Sequence, residues 1–299
     1  MDPLVVVFGL GVGILVGLTG IGGGSLMTPL LVLFAGVQPV VAIGTDLAYG
    51  AVTKTLGGWK HLRQGTVDLG VSKWLAVGSV PGSLLGVVVV NRLHRAYGDG
   101  FDEVLLVGIA AALVIVAASI LTRALFMPRL VARERDTVAL TARVRAGAAG
   151  IGLVLGLLVG MTSVGSGALI GLALILVFRL TPHRVVGTDV FHAAILLWTA
   201  GLAHWVSGNV DLGLMANILV GSLPGVWIGT SLIRRVPAAG LRPALGCVLL
   251  GSALGVLKKA GADIAPLAIV GAPLALGALA VVVHRVRVAA ASLPTPEQA

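Results

Sequence analysis

Sliding the chain along itself by 143 residues gives a match with no gap. Residues Gly13 to Gly86 fall on Gly156 to Gly229, with 28 identities in 74 positions. Any fold must therefore build one unit twice. Gly17, Thr19, Gly22 and Gly24 fall on Gly160, Thr162, Gly165 and Gly167, and Gly44-Thr45-Asp46 falls on Gly187-Thr188-Asp189. His61 and Val67-Asp68-Leu69-Gly70 fall on His204 and Val210-Asp211-Leu212-Gly213. Gly78-Ser79 and Pro81-Gly82 fall on Gly221-Ser222 and Pro224-Gly225.

The repeated unit is built for hydrocarbon. Of 299 residues, 57% are hydrophobic and only 11% charged, where a soluble domain carries about 25% charge. Several apolar runs approach the roughly 20 residues that cross a bilayer core. The expectation is an all-α, polytopic transmembrane helical bundle. Each half opens with an apolar segment broken by glycines, 4–34 or 146–178. Three spans follow it, at about 40–60, 72–91 and 103–122, and at about 185–206, 213–233 and 241–257. A last run, 264–283, has no counterpart. The layout is a first repeat over 1–122, a basic linker over 123–145, a second repeat over 146–259, and an extra span with a short disordered tail over 260–299.

The net charge of +9 then reads as an orientation signal between spans rather than as a nucleic-acid surface. The single cysteine, Cys247, has no partner for an internal disulfide and reads as a packing residue. The start Met1-Asp2-Pro3 lacks the positive region of a cleaved leader, so Leu4 onward is expected in the mature chain.

The glycine-broken segments either cross the membrane or turn back within it, and lysines and arginines in short loops distinguish the two. Lys54 lies inside a span and is left aside, and the linker is placed inside. If the segments cross, 11 basic residues lie inside and 9 outside. If they turn back, 16 lie inside, and only Arg92, Arg95, Lys258 and Lys259 lie outside. The second arrangement predicts two inverted repeats, each a re-entrant helical hairpin plus three spans. The N-terminus is then outside, and the linker and C-terminus are cytoplasmic.

Four glycines in eight residues are costly in a helix that only has to span, at about 1 kcal/mol each against alanine. Bare backbone at membrane depth survives only where protein buries it or where it lines a cavity. Paired interruptions of this kind point to a transporter binding site. The tips Gly22-Gly23-Gly24-Ser25 and Gly165-Ser166-Gly167, with Thr19, Thr162 and Ser163 nearby, would offer an anion free N–H groups and hydroxyls. The half-helices Leu26–Leu33 and Leu169–Val177 would add the positive ends of their dipoles. Gly13 with Gly17, and Gly156 with Gly160, read instead as close helix packing.

Asp46 and Asp189 are either N-caps behind Pro39 and Pro182 or functional intramembrane carboxylates. His192 lies one turn beyond Asp189 and is a candidate to share a proton with it. Lys54 reads as a side chain that snorkels to the interface, or else as a positive charge for an anion. His61 and His204 read as interfacial anchors beside Trp59 and Trp205, and Asp68 and Asp211 as helix caps. No metal-ligand spacing, Walker loop or nucleophile elbow is present, so neither enzyme, cofactor nor metal is expected.

These motifs resemble the TauE/SafE family of membrane permeases. The likeness is carried by Gly17-Leu-Thr-Gly-Ile-Gly-Gly-Gly-Ser25, Pro29, Gly44-Thr45-Asp46, Lys54 with Gly57-Gly58, His61 through Gly65, and the second copy, Gly165 to Gly167 with Gly187-Thr188-Asp189. The resemblance implies a plasma-membrane transporter of sulfite, sulfonates or related sulfur oxyanions, with coupling to protons as a feature to test. The partners expected are the bilayer, a small anion and protons. An anion channel on the same scaffold and a non-transporting membrane scaffold are the alternatives.

Overall fold

The computed structural model describes residues 2–19, 24–126, 134–232 and 238–291. Gly22 and Gly23, the side chain of Thr19, residues 127–133 of the linker and the tail 292–299 lie outside the described residues. Eleven helices make up the described fold: α1 (Pro3–Thr19), α2 (Gly24–Leu33), α3 (Pro39–Arg63), α4 (Leu69–Tyr97), α5 (Asp99–Phe126), α6 (Ala142–Thr162), α7 (Ala168–Leu176), α8 (Pro182–Val206), α9 (Leu212–Leu232), α10 (Ala238–Lys259) and α11 (Pro266–Ala291). Five of them, within α4, α5, α6, α8 and α9, are long and apolar enough to cross a membrane. Helix α5 extends to Phe126 and α6 begins at Ala142, so the two ends of the expected linker, 123–126 and 142–145, are helical.

Local chemistry sets the helix ends in matched pairs. Pro39 and Pro182 open α3 and α8 behind Gln38 and Thr181, where a missing N–H costs nothing and φ is already helical. Asp68 and Asp211 do cap the following helices, accepting the N–H groups of Val71 at 3.0 Å and Leu214 at 2.9 Å. Between each pair of helices the chain turns on a glycine with positive φ, Gly65 at 67° and Gly208 at 81°.

Packing exchanges helices between the halves. The most extensive contacts are α4 with α6, α1 with α9, and α3 with α8. Under the 143-residue shift the first two pairs are images of each other. Gly9, Gly13 and Gly17 of α1 lie against Ile218, Ser222 and Val226 of α9, so those helices run parallel. Gly152, Gly156 and Gly160 of α6 lie in the same way along Leu75, Ser79 and Ser83 of α4. Helices α3 and α8 run antiparallel, with Leu47 against Gly201, Gly50 against Leu197 and Gly58 against Phe191. Glycine is required on these faces because the neighbour's backbone occupies the place of a side chain.

Neither glycine-broken segment is one rod. Phe8 in α1 and Phe34 just past α2 hold their ring centroids 5.6 Å apart, where a straight helix would separate them by ~39 Å. In the second half α6 stops at Thr162, Ser163 takes the left-handed conformation at φ 59°, and Gly165 follows at φ 103°. Helix α7 then restarts at Ala168.

A methyl group on Gly82 would overlap the Leu153 carbonyl, whereas one on Gly108 would meet nothing within 4 Å. Gly82→Val is therefore expected to destabilise the protein by about 1–3 kcal/mol or more, with Gly108→Ala near wild type. Thermal melts in detergent, with size-exclusion profiles, check this.

Candidate functional site

Asp46 is not a cap. Because Pro39 starts α3 well upstream, Asp46 lies about two turns inside the helix, and it is 1% exposed. Asp189 occupies the matching place in α8, whose N-cap is Thr181, and it is buried as well. A carboxylate buried this deeply in protein has to be provided for by its surroundings.

Asp46 Oδ2 accepts two hydrogen bonds, from Thr28 Oγ1 at 2.6 Å and from Ser163 Oγ at 2.9 Å. Its Oδ1 is buried and makes none among the described residues. One carboxylate thus joins α2 and α3 of the first half to the break between α6 and α7 of the second. Ser163 is presented by its left-handed turn, its own N–H donating to Val159 O at 2.8 Å. Thr162 locks the same turn. Its hydroxyl donates to Leu158 O at 2.7 Å and accepts the Val164 N–H at 3.2 Å.

The three residues of Gly44-Thr45-Asp46 divide the labour. Gly44 lets the Asn209 carbonyl come against α3, and Gly187 does the same for Thr66 at α8. Thr45 Oγ1 accepts the Asp211 N–H at 3.0 Å, and Thr188 Oγ1 accepts the Asp68 N–H at 2.8 Å. Each half thereby holds the first turn of a helix in the other, and the aspartate is left to face the interior.

A second polar pair also crosses between halves. His192 Nε2 lies 3.2 Å from Ser79 Oγ on α4. Its counterpart Tyr49 lies against Ser222, the counterpart of Ser79. The recorded partner of His192 is therefore a serine of the opposite half. Ser79-Val80-Pro81-Gly82 supplies that hydroxyl and, through Gly78 and Gly82, the close contact with α6.

Two expectations from sequence are overturned. Lys54 does not snorkel: it is 8% exposed, and its Nζ is buried with no hydrogen-bond partner among the described residues. Gly50 abuts Leu197 on one side of it, and Gly57 and Gly58 abut Val190 and Phe191 on the other, so α8 closes over it. His204 is not an interfacial anchor either. It is fully buried, with Nε2 at 3.0 Å from Gly160 O, because the last turn of α6 leaves carbonyls that need a donor. His61 alone stays near the surface, with Nδ1 at 3.0 Å from Thr66 Oγ1.

Among the other candidates, Ser25 and Ser166 are buried at the starts of α2 and α7, Gly24 opens α2 and Gly167 is the N-cap of α7. Of the proposed site residues, only Ser163 and Asp46 are brought into direct contact by a described bond. Thr28 was missed. Its one signal was the mismatch with the second copy, which has Gly171 at that position.

Two surface grooves lie elsewhere. One of about 140 Å³ is lined by Ala48, Val52, Leu212 and Met215, and one of about 660 Å³ by Phe191, Ile195, Leu69 and Ser72. Those residues are counterparts under the 143-residue shift, so the grooves are one apolar feature repeated. Neither is lined by Asp46 or Ser163.

The Thr188 bond can be tested alone. Thr188→Val leaves the Asp68 N–H without its acceptor and should cost about 1–3 kcal/mol. Thr188→Ser should recover most of the loss in thermal or denaturant melts.

Comparison with known proteins agrees with this architecture. The model of the sulfite exporter TauE/SafE family matches residues 5–256. A probable membrane transporter protein of Bacillus subtilis, YjnA, is 38% identical over 257 residues, covering 86% of this chain and all of the relative. A second from the same organism, YunE, is 29% identical over 247 residues, 77% of this chain and 86% of the relative. A sulfite exporter TauE/SafE family protein of Arabidopsis thaliana is 36% identical over 104 residues, 35% of this chain and 22% of that protein. No solved structure matches.

Proposed function

The chain belongs to the sulfite exporter TauE/SafE family, and from that premise we propose that it is a secondary transporter of a small sulfur-containing oxyanion. The observation that carries the reading is the bond pattern of Asp46: one buried carboxylate ties Thr28 of α2 to Ser163 in the break of the opposite half. A polar centre shared by two broken segments is the arrangement expected of a carrier whose halves move against each other. The sulfur oxyanion comes from the family, whose model and plant relative carry the name sulfite exporter.

The halves are inverted repeats, and each opens with a re-entrant hairpin. Counterpart helices α3 and α8 pack antiparallel, which supports a two-fold axis lying across the helices rather than along them. Phe8 beside Phe34 supports a hairpin for 4–34. The loop charges agree, since turning the broken segments back leaves only four basic residues outside. The protein then sits in the plasma membrane with its N-terminus outside and its C-terminus inside.

The anion binds where α2 and α7 begin. Free N–H groups and the hydroxyls of Ser25 and Ser166 face it there. Asp46 supplies the coupling. A carboxylate and an anion repel each other in a low-dielectric interior, so the carboxyl takes up a proton as the anion enters and releases it as the anion leaves. Access alternates as the shared centre is opened from one face and then the other.

Two experiments test this. In a Cys247→Ala background, Asp2→Cys and Gly36→Cys should react with an impermeant maleimide from the same face of the membrane; reaction from opposite faces rules out the hairpin. In proteoliposomes, sulfite or methanesulfonate uptake should respond to an imposed pH gradient. Asp46→Asn should keep the fold and remove the pH response, lowering flux by roughly tenfold or more, as expected when about 1.4 kcal/mol or more is lost. Flux that is conductive and indifferent to pH would identify a channel.

A further inference from the structure

Lys54 lies where the two halves meet. The α3–α8 contacts pair Leu47 with Gly201, Gly50 with Leu197, and Gly58 with Phe191. Along that register, a residue and its counterpart 143 positions later come together beside Lys54. Thr55 and Trp198 are such counterparts, and they are hydrogen-bonded to each other at 2.7 Å. Lys54 is thus deep in α3, ~23 Å from one end of the helix and ~14 Å from the other at 1.5 Å per residue.

The ammonium is enclosed by protein, and its Nζ has no hydrogen bond among the described residues. A buried charge without a partner is strongly disfavoured unless an opposite charge joins it. Its counterpart is Leu197, so the charge is single. Asp46, the acidic group of α3, accepts from Thr28 and Ser163 at its Oδ2.

We infer that Lys54 is the fixed countercharge of the transported anion, and that its being alone selects a singly charged oxyanion, a sulfonate or hydrogensulfite, over a doubly charged sulfate. This rests on the transport reading above. The anion meets the ammonium along α3, two turns or ~12 Å beyond Asp46, on its way to or from the starts of α2 and α7, and there the ammonium donates to the –SO₃ oxygens and is neutralised by them. A second negative charge finds no cation on the α8 side, where Leu197 stands in the matching place.

The test uses the full chain in proteoliposomes and in detergent, with sulfite and methanesulfonate as probes and sulfate as competitor. Wild type should take up both probes, be stabilised by them against heat, and resist competition by sulfate. Lys54→Met should cut uptake by roughly tenfold or more, the effect of losing a charged hydrogen bond. It should also lose the anion-dependent stabilisation while melting, without anion, no lower than wild type. Lys54→Arg should retain part of the uptake. If Lys54→Met does not fold, Lys54→Gln replaces it. Uptake within twofold of wild type by a folded Met or Gln variant overturns the inference and leaves the transport reading standing. Effective competition by sulfate overturns the charge selection. Wild type inert to both probes overturns the transport reading, and the lysine's role falls with it.

Discussion

Hydrocarbon offers a peptide group no partner, so every interruption of a helix at membrane depth has to be satisfied by protein. That requirement explains the interior of this molecule better than any single side chain does. Where α6 ends, the Gly160 carbonyl receives His204, Thr162 turns its hydroxyl on both Leu158 O and the Val164 N–H, and the Ser163 N–H closes on Val159 O. Only after the backbone is satisfied is a side-chain hydroxyl, that of Ser163, left to reach across to Asp46.

The same economy operates between the halves. Thr45 and Thr188 each hold a backbone N–H at the start of a helix belonging to the other repeat. Helices α1 and α6 each lie along a helix of the opposite half. Neither repeat therefore has a complete core of its own, and the carboxylate centre exists only in the assembled pair. A movement of one half relative to the other acts directly on Asp46, because its two hydroxyl partners come from different halves.

What the sequence made legible follows from periodicity and duplication. Helix positions, the caps at Asp68 and Asp211, and the packing role of Gly13, Gly17, Gly156 and Gly160 all depend on neighbours in the chain or on the repeat. Depth does not. In sequence Asp46 reads equally as a cap or as an interior carboxylate, because Thr, Asp and an upstream proline are also the ingredients of a cap. The helix in fact begins at Pro39, and that shift puts the carboxylate inside. His204 stands beside an exposed Trp205 in the chain, yet its ring points inward to Gly160. Lys54 was judged by its distance from the end of a span, whereas its burial is set by α8 crossing over Gly50, Gly57 and Gly58. Thr28 gave no sign in isolation, since a single hydroxyl in an apolar helix usually bonds its own backbone.

The duplication is close in backbone and unequal in chemistry. Around Asp46 stand Thr28 and Ser163; the positions that match them in the sequence of the other copy are Gly171 and Gly20, which carry no hydroxyl. The histidines differ in the same sense. A carbonyl can only accept, so His204 Nε2 carries the proton given to Gly160 O, and Nδ1 accepts from the Asn209 amide. Thr66 spends its hydroxyl hydrogen on His61 O, so His61 Nδ1 must donate to Thr66, which leaves Nε2 without a proton in the neutral ring. His204 in that form clasps the end of α6, and neutral His61 has no proton with which to clasp the matching carbonyl of α1. Matched histidines thus do different work, His204 clasping the end of α6 and His61 closing on Thr66. Symmetric scaffolding is thus combined with hydrogen bonding that differs between the copies.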